Sequence, residues 1–526
     1  MSWTSLVLPE LVLAGTALAV LLLDLFLAPD RRRLTAYLGL AGTAAALAAA
    51  AWLWVALEGG TGPATIAAKA APIAGMLRLD TFALVFKLLF LAIGLLVVLL
   101  SIDFVERRGL PVGEFYSLLL FAVLGMMLMA ASRDLVMIYL GLETTSIASY
   151  ALAGLLRRDL RSGEAALKYF LTGALASAVI LFGMSLIYGA TGSTDLAALM
   201  TSSTVRAGTA AWFGPVALAG LVLLIVGFGF KVAAVPFHFW APDAYEGAPT
   251  PVTTFFSVGP KAASFAVLLR VFGPVLGPAG GWSTAMPGAG ALPTLFAVLA
   301  VVTMTVGNLT ALSQRNIKRM LAYSSIAHAG YALVGLAVAA ADPRGLAAII
   351  YYLLAYAAMN TGAFAVVIWL NNRGTGDDVA DYVGLGRRAP LAAIALVVCF
   401  LSLIGIPPTA GFFGKFYLFL AAIGGGMTWL AVVMVVNSAI SVGYYYSVVR
   451  NMYLRAEAAT EADGAVPAGA ATAGAAEPGG PDSPGEPVPG TPLVGAALGL
   501  AVLAVFVLGF LFEPLARLAG LAGIGM

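Results

Sequence analysis

The sequence predicts an all-α integral membrane protein of about 14 transmembrane helices, with two inverted five-helix repeats (spans 4–8 and 9–13) and broken helices at spans 7 and 12. Three observations carry that prediction. Of 526 residues, 61% are hydrophobic and only 10% charged, and the mean hydropathy is +0.97; a water-exposed surface of that size needs far more charge. The apolar residues fall in runs of roughly 20, the length that crosses a bilayer as a helix. Two stretches of the chain also resemble each other segment by segment.

The apolar runs lie at 5–27, 35–57, 81–102, 114–131, 134–155, 165–189, 212–233, 251–274, 293–313, 320–340, 345–370, 391–421, 427–450 and 492–512. The run at 391–421 is interrupted by Gly405, Pro407, Pro408, Gly411 and Gly414, and the one at 212–233 leads into Pro236, Pro242, Pro249 and Pro251. Proline removes a helical hydrogen bond and clashes with the preceding turn, so both are expected to break. The first 26 residues lack a basic start and a convincing cleavage site, and are read as the first span and not as a signal peptide. The Ala/Gly/Pro/Glu-rich segment 456–491 cannot bury a core and is expected to be a disordered cytoplasmic loop before the last span. These boundaries divide the chain into an N-terminal three-helix segment (1–110), a first five-helix repeat (111–280), a second, inverted one (290–455), the loop 456–491 and a final transmembrane helix (492–526).

Alternating the spans sorts the loop charges. One side collects Arg31, Arg32, Arg33, Arg107, Arg108, Arg157, Arg158, Arg161, Arg315, Lys318, Arg319, Arg373, Arg387, Arg388, Arg450 and Arg455. The other has only Lys69, Arg78, Arg133, Arg206, Arg270, Arg344 and Arg517. Positive loops stay in the cytoplasm, so a bacterial plasma membrane location with both termini on the outer side is expected. The remaining basic residues are all lysines within or at the ends of spans: Lys87, Lys168, Lys231, Lys261 and Lys415. Arginine holds its proton at any working pH, whereas a buried lysine can release it.

The internal repeat rests on three correspondences. "TSIASYALAGL" (145–155) resembles "SSIAHAGYALVGL" (324–336), "ALKYFL" (166–171) resembles "AIIYYL" (348–353), and "GFGFK" (227–231) resembles "GFFGK" (411–415). Five helices is an odd number, so the second copy enters the membrane from the opposite side, an arrangement that places sites on broken helices near the midplane. The last match sets Lys231 opposite Lys415 at equivalent depth.

A charge at mid-membrane costs on the order of 3 kcal/mol or more, so the buried lysines call for a function. Glu143 is the carboxylate deep in the repeats and the natural partner of Lys231. A lysine whose partner moves or is neutralised can lose its proton, which makes the pair a switchable proton site. Lys261 is placed to relay inward towards Lys415, with water bridging the gaps. Lys168, near a span end, and His238 and His328 are possible relays. Lys87 lies outside the repeat, Glu10 and Asp24 are read as interface or partner contacts, and Met126, Met127 and Met129 as packing. One cysteine, Cys399, and two histidines leave too few ligands for haem, a zinc cluster or an iron–sulfur centre. No cofactor is expected in this chain, and nucleic acid is not an expected partner.

The stretch "KVAAVPFHFWAPDAYEGAPTPVTTFFSVGPKAASF" (231–265) resembles the signature of the antiporter-like membrane subunits of complex I, the proton-pumping NADH:quinone oxidoreductase. "RDLVMIYLGLETTSIASYALAG", "EAALKYFLTGALASA", "NLTALSQRNIKRMLAYSSIAHAGY" and "LIGIPPTAGFFGKF" fit the same family. The opening "PELVLAGTALAVLLLDLF", the span count and a lysine at 415 resemble the N-type branch. The resemblance implies a central polar axis of Glu143, Lys231, Lys261 and Lys415, with Lys168 as a relay. It implies proton translocation driven by quinone reduction elsewhere, so that NADH, FMN, iron–sulfur clusters and quinone belong to other subunits. It also implies an M-type antiporter-like neighbour on one side and small K/J/A-type subunits on the other, all in the lipid bilayer. The alternative is an Mrp-type cation/proton antiporter subunit or a related hydrogenase-complex membrane subunit.

Overall fold

The computed structural model describes residues 3–58, 75–196, 213–276, 289–454 and 492–524. The expected loop at 456–491, and Lys69, Arg206 and Arg455 of the charge count, lie outside the described residues. Within them the chain is helical apart from turns and three isolated β-bridges. The N-terminal helices are α1 (Leu8–Phe26), α2 (Arg33–Glu58) and α3 (Thr81–Arg107). The next group is α4 (Val112–Ala131), α5 (Leu135–Ala153), α6 (Leu160–Thr191), α7 (Phe213–Val232), the short α8 (Trp240–Gly247) and α9 (Thr250–Leu276). Then follow α10 (Leu292–Ala311), α11 (Ile317–Val338), α12 (Arg344–Asn371), α13 (Pro390–Ile404), α14 (Ala410–Gly424) and α15 (Thr428–Tyr453), with α16 (Pro492–Phe510) and α17 (Phe512–Ile524) at the end.

Thirteen of the helices among the described residues are long and apolar enough to cross a membrane. The two shorter ones, α13 and α14, divide the run 391–421 where a single broken span is expected. The break falls at Gly405, whose positive φ of 93° closes α13; that left-handed conformation is open to glycine without strain. In the other broken region α7 ends at Val232 and Ala233 carries a φ of 59°.

Side-chain hydrogen bonds set where helices begin. Asp134 caps α5 by accepting from the Val136 amide at 2.8 Å, and Asn316 caps α11 by accepting from Lys318 at 2.9 Å; such caps satisfy amides the first turn leaves unpaired. Each capping residue also forms an isolated antiparallel bridge to the segment after the next helix: Asp134 to Asp195, and Asn316 to Asp378. The same device therefore recurs at like positions in the two stretches.

The loops gather at two ends, as alternation requires. At one, Arg107 donates to the Asn372 carbonyl at 2.7 Å and Lys318 reaches Ala248 O at 2.9 Å. At the other, Arg133 pairs with Asp195 at 2.9 Å and Arg270 with Asp80. Two residues counted among the loop charges are instead buried inside helices. Arg270 is 5% exposed in α9 and Lys318 4% exposed in α11. Each is there because its charge is met: Arg270 donates to both Asp80 oxygens at 2.5 and 2.7 Å and stands over the Phe82 ring at 4.4 Å, and Lys318 lies 3.6 Å from Asp377.

The helices nearest the centre are α9, α11 and α12, which are almost wholly enclosed. The peripheral α1, α2, α15 and α16 leave most of their surface uncovered, and the side chains there are apolar, as lipid-facing helices require.

Candidate functional site

The polar groups lie on the enclosed helices α9, α11 and α12 and on α5, α7, α14 and α15 beside them. On α5, Glu143, Ser146 and Tyr150 occupy i, i+3 and i+7, one face of the helix. Lys231, the penultimate residue of α7, meets that face. Its Nζ donates to Ser146 Oγ at 2.7 Å and to Tyr150 OH at 3.2 Å and lies 5.3 Å from the Tyr150 ring centroid. Glu143, one turn further along α5, accepts from the Ser177 hydroxyl of α6. Glu143 and Lys231 are thus neighbours without a direct ion pair, separated along the helix face by Ser146. In place of the expected salt bridge each charged group meets a neutral hydroxyl: Lys231 that of Ser146, which itself donates to the Leu142 carbonyl at 2.6 Å, and Glu143 that of Ser177.

Lys261, on α9 and 3% exposed, donates to both the carbonyl and the hydroxyl of Ser325 on α11. Ser325 Oγ also faces Tyr245 OH at 3.4 Å. Three residues along α11, His328 shares a 2.6 Å hydrogen bond with Tyr352 OH through Nδ1, and its ring packs against Tyr356 at 5.1 Å and Tyr331 at 5.6 Å. Tyr356 in turn lies 5.7 Å under Lys261, and Tyr331 lies 4.5 Å under Lys415. His328 therefore sits between the two lysines.

Lys415 hydrogen-bonds the carbonyls of Leu403 and Ile404 at 2.8 and 2.9 Å and Ser438 Oγ at 3.0 Å. Those carbonyls are exposed because the helix stops at Gly405 and its last turn has no continuing amides. The break itself thus builds the lysine's seat. Beyond Tyr331 the polar groups continue: Asn308 donates to Tyr331 OH at 3.1 Å and accepts from Tyr444 OH at 3.0 Å. Between Lys231 and Lys261 lies a row of aromatic rings. Tyr150 meets Tyr169 edge-on at 4.8 Å, Tyr169 stacks on Trp240 at 4.4 Å, and Tyr245 stands 6.3 Å from Trp240.

This geometry lies on a chain with clear relatives. The family described as "NADH:quinone oxidoreductase/Mrp antiporter, TM" matches residues 132–441. An NADH-quinone oxidoreductase subunit N 2 of Symbiobacterium thermophilum is 50% identical over 469 residues, 86% of this chain and 90% of that one. The chain belongs to this family. It is an antiporter-like membrane subunit of NADH:quinone oxidoreductase. Subunit N of Trichlorobacter lovleyi is 46% identical over 454 residues, covering 86% and 88% of the two chains. Among solved structures, a chain of respiratory complex I from Thermus thermophilus superposes with a TM-score of 0.72 at 35% identity, covering 97% of this chain and 99% of that one. A chain of the Mrp complex from a Dietzia species reaches 0.79 at 24% identity, over 99% and 97%, and shares the fold.

For this antiporter-like subunit the remaining expected residues sort as follows. Lys168 is not part of the buried thread. It is half-exposed near the start of α6 and pairs with Glu164 and Asp243, both at 2.7 Å, and Asp243 also pairs with Arg319 at 2.7 Å. Its long stem reaches out to a charge cluster that the turn into α8 brings close. His238 sits in the segment between α7 and α8, its ring against Phe239 at 4.4 Å, and hydrogen-bonds none of the lysines. Lys87 and Glu10 are paired with each other at 2.6 Å, both buried, linking α3 to α1, so Glu10 is an internal contact. Asp24 lies against Gly113, where any side chain would collide with it.

The equivalence of Lys231 and Lys415 does not hold in register. Lys231 ends the helix before its break, and Lys415 lies within the helix after its break. The glycine–phenylalanine match reflects what both breaks need, small residues and apolar filling, and not a common lysine position. Sequence reading also missed Tyr150, Tyr331, Tyr352, Tyr356, Ser146, Ser325 and Ser438. Their signal is present as polar or phenolic residues at helical spacing inside apolar runs, such as 143/146/150 and 325/328, but tyrosine alone reads as packing.

Proposed function

We propose that this subunit moves protons across the membrane along Glu143, Lys231, Lys261 and Lys415, coupled to quinone reduction elsewhere in the complex. The observation that carries the reading is the buried thread from Lys261 through Ser325, His328 and the tyrosines Tyr356 and Tyr331 to Lys415. Lys231 and Lys261, buried, and Lys415, partly buried, are seated on neutral acceptors and have no structural need of their charge, and lysine can exchange a proton where arginine cannot. The buried Tyr356 OH, on the ring 5.7 Å from Lys261, and Asn360 Oδ1 and Thr361 Oγ1 one turn further along α12 have no hydrogen-bond partner among the described residues. Buried polar groups are nearly always satisfied, and ordered water is the natural partner in a proton path. Glu143, held by Ser177 beside Lys231, is the switch that favours or disfavours the ammonium. His328 is the internal relay; Lys168, at the cluster around Asp243, and His238, between α7 and α8, serve at most as entry groups.

The basic end is the cytoplasmic one, with both termini outward; the gathering of Arg107, Asn372, Lys318 and Asp377 at one end supports that orientation. The spans number fourteen, with α7–α8 and α13–α14 as the broken ones. The five-helix units are 111–280 and 290–455, supported by the recurring Asp134–Asp195 and Asn316–Asp378 bridges. The uncovered apolar helices suit an M-type subunit on one side and small K/J/A-type subunits on the other. The redox groups belong to other subunits.

The test is Lys231→Ala in the assembled complex, with NADH:quinone turnover and proton uptake measured in inverted vesicles. Loss of both activities with assembly intact supports the reading. Unchanged activities would show Lys231 to be a structural charge.

A further inference from the structure

At the basic end, a cavity of about 990 Å³ opens between the α2 start, the α3–α4 turn and the α5–α6 turn. Arg32, Arg108, Arg157, Arg158 and Arg161 line it, and Asp159 is the one acid among its lining residues. Asp159 is already engaged as the cap of α6, accepting from the Arg161 amide at 2.9 Å. Nearby Arg33 is neutralised by Asp103 and Glu106, both at 3.0 Å. The five lining arginines form no ion pair among the described residues. Like charges so close repel, and the fold keeps five arginines together against the single carboxylate of Asp159.

Apolar groups adjoin the cavity. Leu110, Leu155, Leu156 and Leu160 line it, Leu160 being 91% exposed, and Phe26 and Leu25, at the end of α1 a few residues before Arg32, are 84% and 74% exposed. A basic pocket at the ends of membrane helices with an oily lip matches both halves of a phospholipid: a phosphodiester for the guanidiniums and acyl chains for the leucines and phenylalanine. A soluble anion has no use for the lip, and an acidic protein segment has no use for its position at the hydrocarbon boundary.

We propose that this cavity binds the phosphodiester headgroup of an anionic phospholipid, with its acyl chains lying along Leu25, Phe26 and Leu160. None of the lysine thread's residues lines this cavity, and the proposal stands whether or not that thread conducts protons. It ties the first helices to the α5–α6 turn, which lies outside and inside the family-matched stretch respectively, so lipid occupancy would brace the two parts together.

The test uses the purified respiratory complex carrying this subunit, exchanged into phosphatidylcholine nanodiscs and titrated with phosphatidylglycerol, with lipid retained on the subunit read by native mass spectrometry. The wild type should retain phosphatidylglycerol over phosphatidylcholine. Arg157→Gln, Arg158→Gln and Arg161→Gln together should weaken it on the order of a hundredfold, at roughly fivefold per arginine. Leu160→Glu puts a carboxylate at the lip from an exposed first-turn position that favours acids, so the helix should persist while retention falls. Equal retention by the triple variant and Leu160→Glu would overturn the proposal. So would displacement of the lipid by millimolar inorganic phosphate, which would make this a site for free anions. A cross-link from Arg158→Cys to an acidic segment of another subunit, with no lipid effect, would make it a protein contact.

Discussion

Lys231, Lys261 and Lys415 are held in three different ways, by hydroxyls, by one serine and by carbonyls freed at a helix end. None of the three has an acid within ion-pair distance among the described residues. The common requirement is a group that carries charge and can give up its proton, so size and charge without exchange should fail. Lys231→Arg is expected to assemble and to lose coupled proton uptake in inverted vesicles, because a guanidinium stays charged; retained pumping would show that only the positive charge matters. Tyr150→Phe removes one of the two hydrogen bonds to Lys231 and leaves the ring. A hydrogen bond of this kind is worth about 1 kcal/mol, so proton uptake should fall about fivefold, far less than with Lys231→Ala. If both variants are equally inactive, Tyr150 transfers the proton itself.

At the scale of elements, close helix approach does what side chains elsewhere do. A Cβ on Gly141 of α5 would fall 2.8 Å from the Gly125 carbonyl of α4, and one on Gly125 would fall 2.6 Å from the Gly141 carbonyl. Backbones meet there, as small residues permit in membrane helices. Gly141→Val is expected to push α5 off α4 and shift Glu143 and Ser146, costing about 1–3 kcal/mol by overpacking. The check is the yield of assembled complex and the residual turnover of what assembles; wild-type values for both would show the contact to be slack. The two broken regions were legible from their prolines and glycines, since those residues interrupt a helix wherever they stand. The register between them was not. Which side of a break a lysine occupies depends on where the helix resumes, and that is set by packing.

Across the whole molecule, Arg270 of α9 reaches Asp80 before α3 and the Ala130 carbonyl of α4, the latter at 3.1 Å, joining the N-terminal helices to the core. Breaking one partner of a buried pair leaves an uncompensated charge and costs about 3–5 kcal/mol, while replacing both is close to neutral. Asp80 also pairs with the partly exposed Arg78 at 3.2 Å and caps α3 by accepting from the Ala83 amide at 2.8 Å. Arg270→Met, which leaves the buried carboxylate with Arg78 alone, is therefore expected to lower the thermal stability of the complex, and Arg270→Met with Asp80→Asn, which keeps a capping oxygen, to restore part of it. Equal loss in both variants would mean that the hydrogen bond to Ala130, and not the charge pair, makes the junction.

Composition and apolar run length were enough for the sequence by itself to determine a helical membrane protein, because a bilayer permits few other ways of satisfying the backbone. The buried lysines and Glu143 were visible too, since an ionisable residue inside an apolar run is costly and stands out. The tertiary structure alone decided which of them meet. It set Lys231 on Ser146 and Tyr150 and not on Glu143, put His328 between Lys261 and Lys415, sent Lys168 out to Asp243, and drew Arg270 inward to Asp80. Those outcomes depend on contacts between helices tens to hundreds of residues apart. A hydrogen bond is a matter of a few tenths of an ångström, and periodicity along one helix carries no information about the face its neighbour presents.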